Sequence, residues 1–195
     1  MKVSILHEGK SIDKSFFKLL YAHLGVDEFE LKERVNFVGM GSKSNFFKLD
    51  NQTYKLLKSE IEREVVEKVL FIVDSDYKGN KKYDGYEDTL SEIEMIQEEL
   101  DIKGISDTFI AYDINSKNRE GYLESLILST LSKEQDDCIN SFLEKCPEFR
   151  GKESHKSIFN VIYKNAYPKA PYNFEHPHFE ELKQKLTDLF KGTKK

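Results

Sequence analysis

The sequence predicts an α/β protein: a mainly parallel four-stranded sheet with helices on both faces, followed by a C-terminal helical extension. Three observations predict it. Strand-like and helix-like segments alternate over residues 1–131, the order that parallel βαβ crossovers produce. One segment, Val69 to Val73, is an unbroken apolar run, as expected of a strand buried on both faces. Acidic residues stand immediately after strands, at the edge where open α/β sheets bind ligands.

The elements follow in order. KVSILH (2–7) reads as a first strand and ends at Glu8-Gly9. Phe16, Phe17, Leu20 and Leu24 recur at helical spacing, and Gly25 follows as a C-cap. VNFVG (35–39) is a second strand, followed by a Gly/Ser loop and a helical stretch over roughly 45–66. KVLFIV (68–73) is the third strand and delivers Asp74 and Asp76. Tyr86, Leu90, Ile93 and Leu100 mark a helix, SDTFIAYD (106–113) a fourth strand, and Tyr122 to Leu131 another helix. Residues 132–195 read as an extension with helices over 133–146, 154–165 and 178–191, the last two separated by Pro168 and Pro171.

Composition bounds the function. The chain has 195 residues, enough for one domain with a modest extension, and its 14 Phe and 10 Tyr supply core material despite 33% charged residues. A net charge of −5 excludes a generally basic nucleic-acid coat, although a metal site can still recruit phosphate locally. Lys183, Lys185, Lys191, Lys194 and Lys195 read as a solvated helix face and tail, or as a patch that steers a phosphate backbone. No apolar run is long enough for a membrane span, and Cys138 and Cys146 fit no zinc spacing, so reduced thiols and a cytoplasmic location are expected.

The chemistry concentrates in two motifs. In Asp74-Ser75-Asp76, carboxylates two residues apart leave a strand together; held close they repel, and a hard cation between or beside them relieves the cost. In His7-Glu8-Gly9, a carboxylate stands where the backbone turns sharply. Each motif alone also fits a polar surface turn. Both follow predicted parallel strands, so residues 66 positions apart in sequence should meet at one sheet edge. Lys10, and Lys43 in its Gly/Ser loop, are candidate phosphate-stabilising cations or simply solvated lysines. His176 and His178 flank Pro177 and read as a loop, and His7 should face helix packing.

ILHEGKSIDKSFFKLL followed by VLFIVDSDYKG resembles the TOPRIM domain, a Rossmann-like fold whose hallmark is Glu-Gly after the first strand and D-x-D after a later one. The likeness covers roughly residues 2–130 and is nearest to the OLD-like (overcoming lysogenisation defect) and stand-alone bacterial groups. NREGYLESLIL is similar to their G-x-L-E-x-L-L segment. The resemblance implies Mg²⁺, for which Mn²⁺ would substitute, held by Glu8, Asp74 and Asp76, with Glu124 and Asp13 as further ligands. It implies metal-dependent cutting of DNA or RNA, in a defence or mobile-element setting, with Glu8 as a ligand or a general acid or base. Lys156, in KESHKSIFN, is a loose counterpart of a family lysine that lies beyond the sheet domain. Asp13 departs from the OLD-like pattern: the expected position holds Ile12, and the acid stands one residue later, where it could equally cap the helix. Glu124 could equally be an exposed acid favoured by a helix N-terminus.

Two rivals remain beside a nuclease. One is a non-catalytic metal- or nucleotide-binding module acting with an ATPase partner, since OLD proteins usually carry an ATPase and no G-x-x-x-x-G-K-[ST] occurs here. The other is a haloacid-dehalogenase-like phosphatase with Asp74 as nucleophile, a class that places D-x-D on its first strand and leaves Glu8-Gly9 unexplained. Topoisomerase and primase activities would need domains for which the chain has no room.

Overall fold

A computed structural model describes residues 2–9, 12–79, 81–149, 154–166 and 172–191, with only the backbone at 12–14. Four strands, β1 (Lys2–His7), β2 (Val35–Gly39), β3 (Val66–Asp74) and β4 (Ser106–Ala111), form one sheet in the order β2-β1-β3-β4, every pair parallel. The register sets the functional edge. His7 lies opposite Gly39 on one side and Ile72 on the other, and Asp74 lies opposite Ala111. Glu8 therefore leaves β1 beside the last residues of β3.

The apolar run of β3 is buried from Val69 to Val73, and its side chains alternate between two cores. Leu70 and Ile72 join Val3, Ile5, Phe109 and Ala111 on one face; Val69, Phe71 and Val73 join Leu6 on the other. Each of these Val, Leu, Ile and Phe side chains contributes about 1.5–3 kcal/mol when fully removed from water.

Helix α1 (Ile12–His23) covers the first face through Phe16, Phe17 and Leu20. It ends as its sequence dictates: Gly25 adopts φ +83°, its N–H bonds the Ala22 carbonyl at 3.1 Å, and the Val26 N–H bonds the Tyr21 carbonyl at 3.0 Å. A short helix not anticipated from the sequence, α2 (Glu28–Arg34), follows, capped by the Asp27 carboxylate on the Glu30 N–H at 2.8 Å.

The helical stretch expected over 45–66 is two helices, α3 (Lys43–Phe46) and α4 (Gln52–Glu62). The break has a local cause. Asn51 caps α4 through the Thr53 N–H, and the Tyr54 hydroxyl donates to the Phe46 carbonyl at 2.6 Å, tying the start of α4 back to the end of α3. With α5 (Tyr86–Glu99), α3 and α4 bury Phe46, Tyr54, Leu57, Ile93 and Ile96 on the second face. β4 stops at Ala111, two residues short of expectation, and α6 (Leu123–Leu128) is shorter than the helix expected over 122–131.

Beyond residue 132 come α7 (Lys133–Lys145), a 3-10 turn (Pro147–Phe149), α8 (His155–Ser157), a π-helical segment (Ile158–Tyr163), α9 (Lys164–Ala166), a second 3-10 turn (Pro177–Phe179) and α10 (Glu180–Lys191). Ile139, Phe159, Phe179, Leu182, Leu186 and Leu189 belong to the same core as Phe16 and Phe17, so this segment completes the first face of the sheet. Lys183, Lys185 and Lys191 pair with Glu180, Asp107 and Asp188. Pro168, Pro171, Lys194 and Lys195 lie outside the described residues. Among the described residues no helix is long and apolar enough to cross a membrane.

Candidate active site at the carboxyl edge of the sheet

Glu8 and Asp74 meet directly. A Glu8 carboxylate oxygen accepts the Asp74 backbone N–H at 2.9 Å, tying the end of β1 to the end of β3. The Asp74 carboxylate reaches across to β4's side of the sheet: Oδ1 accepts the Leu123 N–H, at the start of α6, at 2.8 Å. That donor has no partner within the helix, and an anion there is favoured by the helix dipole. The other oxygen, Oδ2, lies 3.3 Å from Lys156 Nζ, which also sits 3.8 Å from the centre of the Tyr122 ring.

Asp76 is turned into place by backbone geometry. It has φ +59°, a left-handed conformation uncommon for a residue with a Cβ and of a kind that recurs at functional sites. Its N–H bonds the Gly121 carbonyl at 2.8 Å. Gly121 itself has φ +135°, and a Cβ there would lie 2.6 Å from the Asp113 nitrogen, so only glycine fits. On the β1 side, a Cβ on Gly39 would lie 2.8 Å from the Gly9 carbonyl, so this glycine admits the Glu8-Gly9 turn.

Lys43 is 5% exposed, which is rare for lysine. Its ammonium donates to the Ser75 carbonyl at 2.7 Å and lies 3.3 Å from Asp76 Oδ2. The D-x-D segment is thus flanked by two cations, Lys43 on Asp76 and Lys156 on Asp74.

The charges are unevenly balanced. Burial, then the charge of Asp74, pushes the Glu8 carboxyl up to about 8, against the Asp74 N–H and Lys43. Burial likewise pushes Asp74 up to about 7; Lys156 and the Leu123 N–H oppose this, while Glu124 and Asp76 add to it. Burial works against the charge of Lys156, but Asp74, Glu124 and Asp76 outweigh it and raise its pKa. For Lys43, burial prevails over Asp76, Glu8 and Asp74, and its pKa falls. Near neutral pH the Glu8–Asp74 pair therefore retains a proton: negative charge has been brought together here beyond what two lysines neutralise.

Of the residues singled out in the sequence, Glu8, Asp74, Asp76 and Lys156 come together, and Glu124 is close enough to act on the charge of Asp74 and Lys156. The side chain of Asp13 and all of Lys10 lie outside the described residues. His7 is buried, edge-on to Phe17 and Phe37, as its place on β1 predicts. His176 and His178 stack at a 3-10 turn with ring centroids 4.1 Å apart. Sequence reasoning missed Asp113, Ser125 and His155. The His155 Nδ1 lies 2.8 Å from Ser125 Oγ and 3.9 Å from Asp113 Oδ2. Only the position of Asp113 just after β4 could have signalled them.

Among the described residues no three His, Cys, Asp or Glu side chains converge as a ready-made metal cage. The donor set nevertheless suits a hard divalent cation. It consists of carboxylate oxygens, and Glu8 and Asp74 hold a proton that a cation would replace. Comparison with protein-family models, curated proteins and solved structures gives no match.

Proposed function

We propose that the protein is a Mg²⁺-dependent phosphodiester hydrolase of the TOPRIM kind, acting on DNA or RNA. The observation that carries this reading is the pair of half-buried carboxyls, Glu8 and Asp74, at the carboxyl edge of a parallel sheet, with Asp76 beside them and one lysine on each aspartate. A structural ion pair would balance its charges. This edge holds an excess of carboxylate, as a cation-binding site does.

Glu8, Asp74 and Asp76 would hold the ion, with Glu124 nearby as a further oxygen donor. Bound Mg²⁺ supplies the positive charge that makes water nucleophilic at neutral pH and offsets the leaving oxygen. The chain's own groups do the rest. The Leu123 N–H fixes one Asp74 oxygen, leaving the other to face Lys156. The Lys156 ammonium, held over Tyr122 and half-exposed, would leave Asp74 and meet a phosphoryl oxygen as charge develops there. Lys43, anchored on the Ser75 carbonyl, holds Asp76 in place through its carboxylate.

The test incubates pure protein with supercoiled plasmid, single-stranded DNA and structured RNA, in Mg²⁺ and in Mn²⁺. Nicking or cutting by the wild type, lost in Asp74→Ala, is the expected result. Intact substrates in every condition, together with unchanged metal affinity in Asp74→Ala, would remove the reading.

A further inference from the structure

Beside the carboxylate site lies a second feature that the hydrolytic reading does not use. A cleft of about 620 Å³ opens between α6, α7 and α8 at the end of β4, within the range of small-molecule sites. It shares walls with the active site. Ser125 follows Glu124 on α6, and His155 precedes Lys156 on α8; both line the cleft, with Asp113.

Its lining adds apolar surface that the carboxylate site next door lacks in its own contacts. Asp113, Asp136 and Glu144 contribute carboxylates, and no lysine or arginine is among the described residues lining it. Leu131, Ile139 and Leu143 provide an apolar floor, while Asn115 and Asn140 add amides at the rim. An apolar floor under hydrogen-bond acceptors suits a flat, uncharged group that carries N–H donors on its edge.

We propose that this cleft receives an unpaired nucleobase of a single-stranded nucleic acid whose neighbouring phosphate lies at the Glu8–Asp74–Asp76 edge. The proposal rests on the phosphodiester reading for its phosphate and on the cleft for its base. A paired base cannot leave its stack to enter a cleft between helices without the cost of unpairing, so single strands are preferred over duplex. Carboxylates accept from the amino groups of cytosine and adenine; thymine carries no amino group, so it binds less well. Selectivity thus comes from the cleft, and cleavage from the carboxylate edge.

Two measurements on the full chain test this. Saturation-transfer NMR with cytidine, adenosine and thymidine, in EDTA, reads the cleft without the phosphate site. Fluorescence anisotropy with labelled oligodeoxycytidine, oligothymidine and a duplex, in Ca²⁺, reads the whole surface. The variants are Asn140→Trp, which fills the cleft from an exposed helix position, and Asp136→Asn, which removes a charge at another exposed position. We expect cytidine and adenosine contacts that Asn140→Trp abolishes, and oligodeoxycytidine affinity falling about tenfold in the same variant, the scale of losing one stacked base. Duplex binding should be weaker and indifferent to both variants. Oligodeoxycytidine bound equally by wild type and Asn140→Trp, or thymidine and duplex bound as well as their counterparts, overturns the cleft and leaves hydrolysis standing. Nucleosides bound in the cleft by a protein that cuts nothing would overturn the hydrolytic reading instead. A protein that neither binds nor cuts nucleic acid overturns both.

Discussion

Metal binding at this edge should release protons, and the structure gives the scale. Glu8 is pushed up to about 8 and Asp74 to about 7, both chiefly by burial. A cation must displace whatever protons they hold, so its apparent affinity falls as pH falls through those values. Between pH 8.5 and pH 6.5, competition at Glu8 alone costs roughly 25-fold and at Asp74 roughly fourfold, on the order of 100-fold together. Isothermal titration of Mn²⁺ into the protein, at several pH values and in buffers of different ionisation enthalpy, measures both affinity and protons released. About one proton should leave per ion at pH 7.5, rising toward two near pH 6.5. Glu8→Gln should flatten most of the dependence while weakening the ion. An affinity that is constant over this range, with no proton release, would refute the assignment of Glu8 and Asp74 as partners of the cation.

Three further outcomes follow from the same geometry. In metal-free protein, Glu8 and Asp74 bind protons more tightly folded than unfolded, so stability is greatest below their ordinary values and declines as pH rises toward 8. Glu8→Gln keeps an acceptor for the Asp74 N–H and should raise the metal-free Tm at pH 8 by a few degrees, with no gain at pH 5, as calorimetry would show. Lys156→Met loses the ammonium on Asp74 but keeps apolar contact with Tyr122; kcat should fall about 100-fold with the fold intact by circular dichroism, and an unchanged kcat would remove Lys156 from the reaction. Gly121→Ala forces a Cβ against the Asp113 backbone at a positive φ and should cost about 2–4 kcal/mol in urea unfolding, a loss that a merely exposed turn would not show.

Much of the site was legible because it is written locally. β3 announces itself through five adjacent apolar residues, and whatever follows such a strand in a parallel sheet must stand at its carboxyl edge. Glu8, Asp74 and Asp76 could therefore be placed without coordinates. The helical stretch after β2 was harder, because its break depends on Tyr54 reaching back to the Phe46 carbonyl, a contact with no periodic signature. Lys43 illustrates the limit. The sequence shows a lysine in a Gly/Ser loop, and only packing shows it buried against Ser75 and Asp76.

By itself, the sequence determined four strands alternating with helices, their parallel direction, and which acids leave the strands at the carboxyl edge. These follow from periodicity and chain direction, both properties of neighbouring residues. Tertiary structure alone decided the electrostatics. Lys156, from a helix more than eighty residues beyond Asp74 in the chain, lands on its carboxylate because the C-terminal segment is bound to the face that Phe16 and Phe17 begin. Burial at the sheet edge turns two ordinary carboxyls into proton-holding groups near neutral pH, and the same lysine works against this at Asp74. Desolvation is set by everything packed around a group, so no local pattern could have carried it.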